Sequence, residues 1–183
     1  MQNEKAIGVF DSGVGGLTVL YALQKALPLE KFIYLGDTAR VPYGTRSPDT
    51  IIRYSKRVAG HLYKRDIKAL VVACNTATSY ALDSLQKAFE PNGIPVFGVI
   101  KPSATIALEH SKNNNILVLG TEGTIRGQKY RQTILDLEPR ATVHGLACPL
   151  FVPLIEEGWH RHPVTEAVAL EYFGTVENLT SFD

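Results

Sequence analysis

The sequence predicts an α/β architecture of two domains with mainly parallel sheets and flanking helices. Three observations carry that reading. Short β-branched runs alternate with longer helical patterns through most of the 183 residues. One run, residues 69–73, is continuously apolar (Ala-Leu-Val-Val-Ala), as suits a strand covered on both faces. The conspicuous polar residues Asp11, Asp37, Cys74 and Thr121 fall where predicted strands end, which is where open α/β sheets bind ligands.

In chain order, residues 7–10 read as a strand and 17–27 as a helix stopped by Pro28. Residues 32–35 form the next strand. A helix over 48–65 follows, with Ser47 as its N-cap and Pro48 in the first position, where a missing N–H costs nothing. The apolar strand 69–73 leads into a helix over 76–89, which ends at Pro91-Asn92-Gly93; residues 95–99 are a strand again. The cycle then resumes: helix 102–111, strand 116–119, helix 123–137 stopped by Pro139, strand 141–146 and helix 163–173. The turn-rich run 93–102 is the expected junction, giving a first domain over 1–97 and a second over 98–183. The halves echo one another, one strand running into Cys74-Asn75-Thr76 and another into Gly120-Thr121.

Composition narrows the class. With 45% hydrophobic and 20% charged residues the chain can bury a core. Lys and Arg total 19 against 18 Asp and Glu, with no basic stripe or acidic block, so neither nucleic acid nor a membrane surface is an expected partner. Arg53, Lys56, Arg57, Lys64 and Arg65 read as one solvated helix face. Two cysteines are too few for a secreted disulfide framework, and the first residues lack a signal-peptide pattern. No apolar run approaches the roughly 18–20 residues that span a bilayer. A cytoplasmic protein with free thiols is the expectation.

The strand ends supply the chemistry. Asp11 is followed by Ser12-Gly13-Val14-Gly15-Gly16, whose glycines allow a tight turn and leave backbone N–H groups at a helix start able to hold an anion. It is not a P-loop, and a ligand-free glycine-rich turn fits as well. Cys74 closes a buried strand and opens a helix, where the positive end of the helix dipole favours a thiolate. A small buried packing cysteine is the commoner fate, but Asn75, Thr76 and Thr78 are unlike a core lining. The residue six after Cys74 is Tyr80, so this is not a phosphatase loop. The segment Arg40-Val41-Pro42-Tyr43-Gly44 reads as a turn that is also able to hold a carboxylate. His160 and His162 lack a third metal ligand beside them. Cys148 looks like a packed thiol, though the residues alone leave open a pairing of Cys74 with Cys148 as twin bases.

Several motifs in order resemble the glutamate racemases, within the aspartate/glutamate racemase superfamily. They are Gly8-Val9-Phe10-Asp11-Ser12-Gly13-Val14-Gly15-Gly16-Leu17-Thr18-Val19 and Tyr34-Leu35-Gly36-Asp37-Thr38-Ala39-Arg40-Val41-Pro42-Tyr43-Gly44. Val72-Ala73-Cys74-Asn75-Thr76-Ala77, Gly120-Thr121-Glu122-Gly123-Thr124 and the stretch from Ala147 to Gly158 complete the set. The resemblance implies interconversion of L- and D-glutamate without pyridoxal phosphate, metal or other cofactor, supplying D-glutamate for peptidoglycan. It implies Cys74 as one base, Asp11 as its assisting carboxylate and Glu156 as the acid assisting the opposite face. It also implies a substrate lined by Asp11, Ser12, Pro42, Tyr43, Gly44, Asn75, Thr76, Thr121 and Thr124. Cys148 is left to packing.

One departure shapes the expectation for this chain. The family's second catalytic cysteine lies in a Gly-Cys-Thr-His motif that this sequence does not contain. The sequence therefore reads as truncated before that motif, with weakened turnover and uncovered apolar surface that favours a homodimer or aggregation. The rival readings are an inactive remnant or binding protein of the same fold, and an aspartate racemase.

Overall fold

The computed structural model describes residues 4–182. The chain folds as two compact units, Met1–Ile100 and Lys101–Asp183.

The first unit is built on a four-stranded parallel sheet in the order β2-β1-β3-β4. Its strands are β1 (Ile7–Asp11), β2 (Phe32–Gly36), β3 (Ala69–Val72) and β4 (Val96–Gly98). The register pairs Ile7 with Phe32 on one side and with Ala69 on the other, so the carboxyl ends of β1, β2 and β3 rise together. Helices α1 (Leu17–Ala26), α2 (Pro48–Tyr63) and α3 (Asn75–Phe89) make the crossovers. Ser47 caps α2 by accepting from the Thr50 amide, and Pro48 occupies the first turn as the sequence predicts. The stripe Ile51, Ser55, Val58, Ala59 and Leu62 of α2 is buried at helical spacing. It joins Phe10, Leu70, Val72, Ala77, Ala81 and Leu85 in one core. A short 3-10 turn at Tyr43–Thr45 buries Tyr43 and Gly44 ahead of α2.

Helix α4 (Ile100–His110) leads into the second unit, whose sheet pairs β5 (Asn115–Gly120) in parallel with β6 (Thr142–Ala147). Ala104, Ile116, Ile134 and Ala141 form its core. The predicted single helix over 123–137 is instead two, α5 (Glu122–Arg126) and α6 (Lys129–Leu137). Gln128 between them takes a left-handed φ of 52°, which no helix interior accommodates. A helix absent from the sequence reading, α7 (Phe151–Glu156), precedes α8 (Pro163–Gly174). Pro153 sits in the first turn of α7, where its lack of an N–H is tolerated. Among the described residues no helix is long and apolar enough to cross a membrane.

Candidate active site

Burial of the apolar β1 residues Val9 and Phe10 carries the chain to Asp11, which is itself 6% exposed. Asp11 then closes the loop that follows it. Its Oδ2 accepts from the Gly13 amide at 3.1 Å and from the Gly16 amide at 3.0 Å. The sequence reading leaves these amides for an outside anion; two of them are spent on the chain's own carboxylate. A carboxylate five residues upstream thus does for the start of α1 what Gly16, the N-cap residue without a side chain, cannot.

Gly16 is required by contact. A Cβ there would stand 2.5 Å from the Asp11 Cβ and 3.0 Å from the Ala73 Cβ, neither of which is a flexible side-chain end. Gly16→Ala is expected to lower stability by about 2–3 kcal/mol, read as an earlier urea midpoint with an unchanged m-value. An unchanged midpoint would show that the loop can move off Asp11 freely.

Cys74 ends the connection from β3 and is the N-cap of α3, its Sγ accepting from the Ala77 amide at 3.4 Å. The same sulfur lies 3.4 Å from the Ser12 Oγ, to which the thiol donates. The Ser12 backbone N–H also faces the sulfur. Cys74 is buried, and burial, with the Asp11 charge second, pushes its thiol above the usual range; hydrogen bonds from Ser12 and Ala77 pull the other way without prevailing. The sequence reading favours a thiolate here on the helix dipole. The correction is that desolvation and a neighbouring carboxylate outweigh a dipole worth about 2 kcal/mol at most. The resting residue is therefore a thiol surrounded by groups that would hold its anion.

The segment after β2 forms a second polar cluster. Asp37 is buried, accepting from Arg40 at 2.6 Å on Oδ1 and from the Tyr43 hydroxyl at 2.6 Å on Oδ2. Its amide donates to the Asp11 carbonyl at 2.9 Å, tying this turn to the Asp11 loop. The Arg40 guanidinium lies over the Tyr54 ring at 5.3 Å, and Tyr43 packs on the same ring. Tyr43 thus spends its hydroxyl on Asp37, and burial followed by that bond raises its phenol. Pro42 is exposed and Gly44 buried at this turn. Thr76 is buried in the first turn of α3, and Asn75 beside it is exposed.

The remaining site residues lie in the second unit. Thr121 follows β5 and caps α5, its Oγ1 accepting from the Thr124 amide at 3.2 Å and lying 3.0 Å from the Thr124 hydroxyl oxygen. This repeats the Cys74 and Ala77 arrangement with oxygen in place of sulfur, so the sequence echo is also a local structural one. Thr124 is 3% exposed, and Glu156 ends α7 exposed to solvent. Cys148 is 2% exposed; its amide donates to the Gly120 carbonyl and burial raises its thiol. His162 caps α8 by accepting from the Val164 amide, with its ring stacked on Trp159. Among the described residues no group of three or more His, Cys, Asp or Glu is placed to hold a metal.

The first unit therefore brings Ser12 against Cys74, with Asp11 near enough for its charge to act on the thiol, and ties Asp37, with Arg40 and Tyr43, to the Asp11 strand end. Tyr34, Asp37 and Arg40 are absent from the sequence-derived set. Asp37 had a visible signal as a strand-end acid; Tyr34, within an edge strand, had none.

Comparison with known proteins fits this arrangement. A family described as Asp/Glu/Hydantoin racemase matches residues 17–177. The chain is 55% identical over 168 residues to a glutamate racemase of Geobacter metallireducens, covering 92% of this chain and 61% of that protein. A glutamate racemase isoform of Bacillus anthracis superposes with a TM-score of 0.89 at 37% identity, over 94% of this chain and 64% of the other. The enzyme of Francisella tularensis, solved with D-glutamate, gives 0.88 at 38% identity, over 96% and 65%. The chain thus spans less than two thirds of the length of these relatives. By that match over most of its length, the chain belongs to the Asp/Glu/Hydantoin racemase family.

Proposed function

We propose that this chain serves the racemisation of glutamate, with Cys74 as the base on one face of the α-carbon. The observation that carries the reading is the buried sulfur held between the Ser12 hydroxyl, to which it donates, and the Ala77 amide, from which it accepts, with the Asp11 charge acting on it. That a relative of this fold was solved with D-glutamate supports the choice of substrate.

The α-hydrogen of an amino acid beside an ionised carboxylate is very weakly acidic, so the base must be strong, close and dry. A thiol whose ionisation is resisted by burial becomes a strong base once ionised. The substrate's ammonium group brings the positive charge that offsets Asp11 and lets the sulfur give up its proton to water. The thiolate then takes the α-hydrogen: the S–H bond forms as the C–H bond breaks, and the electron pair stays on carbon. Ser12 and Ala77 hold the sulfur in place and Asp11 steadies the ammonium; a proton returned by Cys74 restores the starting enantiomer, and one delivered to the opposite face from water inverts the centre. We assign Glu156 to assist that opposite face. Ser12, Pro42, Tyr43, Gly44, Asn75, Thr76, Thr121 and Thr124 are assigned to the substrate, Tyr43 through its backbone because its hydroxyl is engaged. In a cell the product, D-glutamate, would serve peptidoglycan synthesis in the cytoplasm.

The test is loss of the α-proton signal of L- or D-glutamate in heavy water, followed by proton NMR. Glutamate is expected to exchange at least about tenfold faster than aspartate. Retention of the α-proton with both enantiomers would overturn the assignment, and faster exchange of aspartate would replace the substrate.

A further inference from the structure

We propose that Tyr34 is a positioning residue that sets the reactivity of Cys74 by fixing the Gly13 carbonyl and so aiming Ser12 at the sulfur. The inference rests on the reading of Cys74 as a base, but its test does not depend on turnover.

Gly13 is clamped on both of its backbone polar groups. Its N–H donates to Asp11 at 3.1 Å, and its carbonyl accepts from the Tyr34 hydroxyl at 3.0 Å. Ser12, the residue before, accepts from the Cys74 thiol on its Oγ, and that hydroxyl can turn to donate, beside the Ser12 backbone N–H, once the sulfur is ionised. A rotation at Gly13 would therefore swing the Ser12 donors off the sulfur. The approach is close because β2 lacks a side chain at Gly36, where a Cβ would collide with the Gly13 carbonyl and come within 3.3 Å of the Tyr34 ring. Tyr34 reaches this carbonyl from an edge strand paired with β1. Its phenol is pushed up to about 12 by burial, then by the charges of Asp11 and Cys74, so the hydroxyl remains a donor at neutral and mildly alkaline pH.

Tyr34→Phe keeps the ring and deletes the bond. With the Ser12 donors released, the thiol is left to burial and Asp11, and less of it is ionised at a given pH. The readout is the rate at which iodoacetamide modifies Cys74, identified by peptide mass, at a fixed pH below the thiol's own pKa. We expect a fall of roughly three- to tenfold, equal to a rise of about half to one pKa unit. Loss of packing alone would have the opposite sign, since a looser loop exposes the sulfur and speeds modification. Combined with Ser12→Ala, the Tyr34→Phe effect should shrink without vanishing, because the two share the Ser12 hydroxyl and only the backbone N–H of residue 12 is left for Tyr34 to aim. Site-specific 3-fluorotyrosine at position 34, a stronger donor of nearly the same size, should speed modification and serves if the Phe variant does not fold. A rate unchanged or raised in Tyr34→Phe, full additivity with Ser12→Ala, or no response to fluorination would each overturn the proposal. If wild-type protein gives the expected modification pattern but no glutamate exchange, the proposed function falls and the role of Tyr34 stands.

Discussion

Cys74→Ser is expected to slow glutamate α-proton exchange by about a thousandfold or more while leaving the fold intact. A serine hydroxyl is far less acidic than a thiol and so supplies almost no anion at neutral pH, which removes the general base outright (roughly 10²–10⁴ in rate). The fold should survive because position 74 has a second, structural duty that serine performs well. The sulfur is the N-cap of α3, accepting from the Ala77 amide, and serine is among the preferred N-cap residues. Cys74→Ala separates the two duties, losing the base and also about 1 kcal/mol of stability with the cap. Cys148→Ser is the matched control, since that sulfur contacts a backbone carbonyl near its own strand end and no site residue. NMR exchange in heavy water and a thermal melt on the three variants check this together. Undiminished exchange in Cys74→Ser would remove the sulfur from the chemistry.

Much of this was legible in the residues, for physical reasons. Strands and helices announced themselves by period, and Pro28, Pro48 and Pro91-Asn92-Gly93 punctuated them where the structure turns. Asp11 and Cys74 were legible because parallel strands deliver their last residues to one edge of the sheet. What escaped depends on contacts between distant segments. The break at Gln128 follows a single glycine, Gly127, which a helical pattern can tolerate, and α7 was hidden by Pro153. The bonds from Tyr34 to Gly13, and from Asp37 to Tyr43, join groups whose juxtaposition only the folded loops create. The direction of the Cys74 shift was misjudged because position along a helix is visible in sequence, whereas depth of burial and distance to Asp11 are not.

Those same buried groups make alkaline stability a sharp test of the site as folded. Cys74, Tyr34 and Tyr43 each ionise less readily in the folded chain than when exposed. For groups that become charged by losing a proton, the unfolded chain therefore ionises first. As pH rises past the ordinary thiol value of 9.0 and phenol value of 10.0, the unfolded state sheds protons that the native state retains, and stability falls. Their contribution is complete below that window and is lost as pH climbs toward the Tyr34 value of about 12. Tyr34, partly reached by solvent, accounts for about 1–2 kcal/mol of the loss after allowing for screening. Tyr43 and Cys74 are more deeply buried and add to it. The urea midpoint should stay flat through neutral pH and then drop steeply, with the part of the tyrosinate absorbance that Tyr34→Phe and Tyr43→Phe remove appearing together with unfolding, other tyrosines such as Tyr21 and Tyr63 being exposed. Tyr43→Phe separates the terms: it should be less stable at neutral pH, because the buried Asp37 loses a donor, and should show a shallower alkaline decline. A midpoint that holds steady across the thiol and phenol range would mean that these hydroxyls and this sulfur are not shielded as the structure places them.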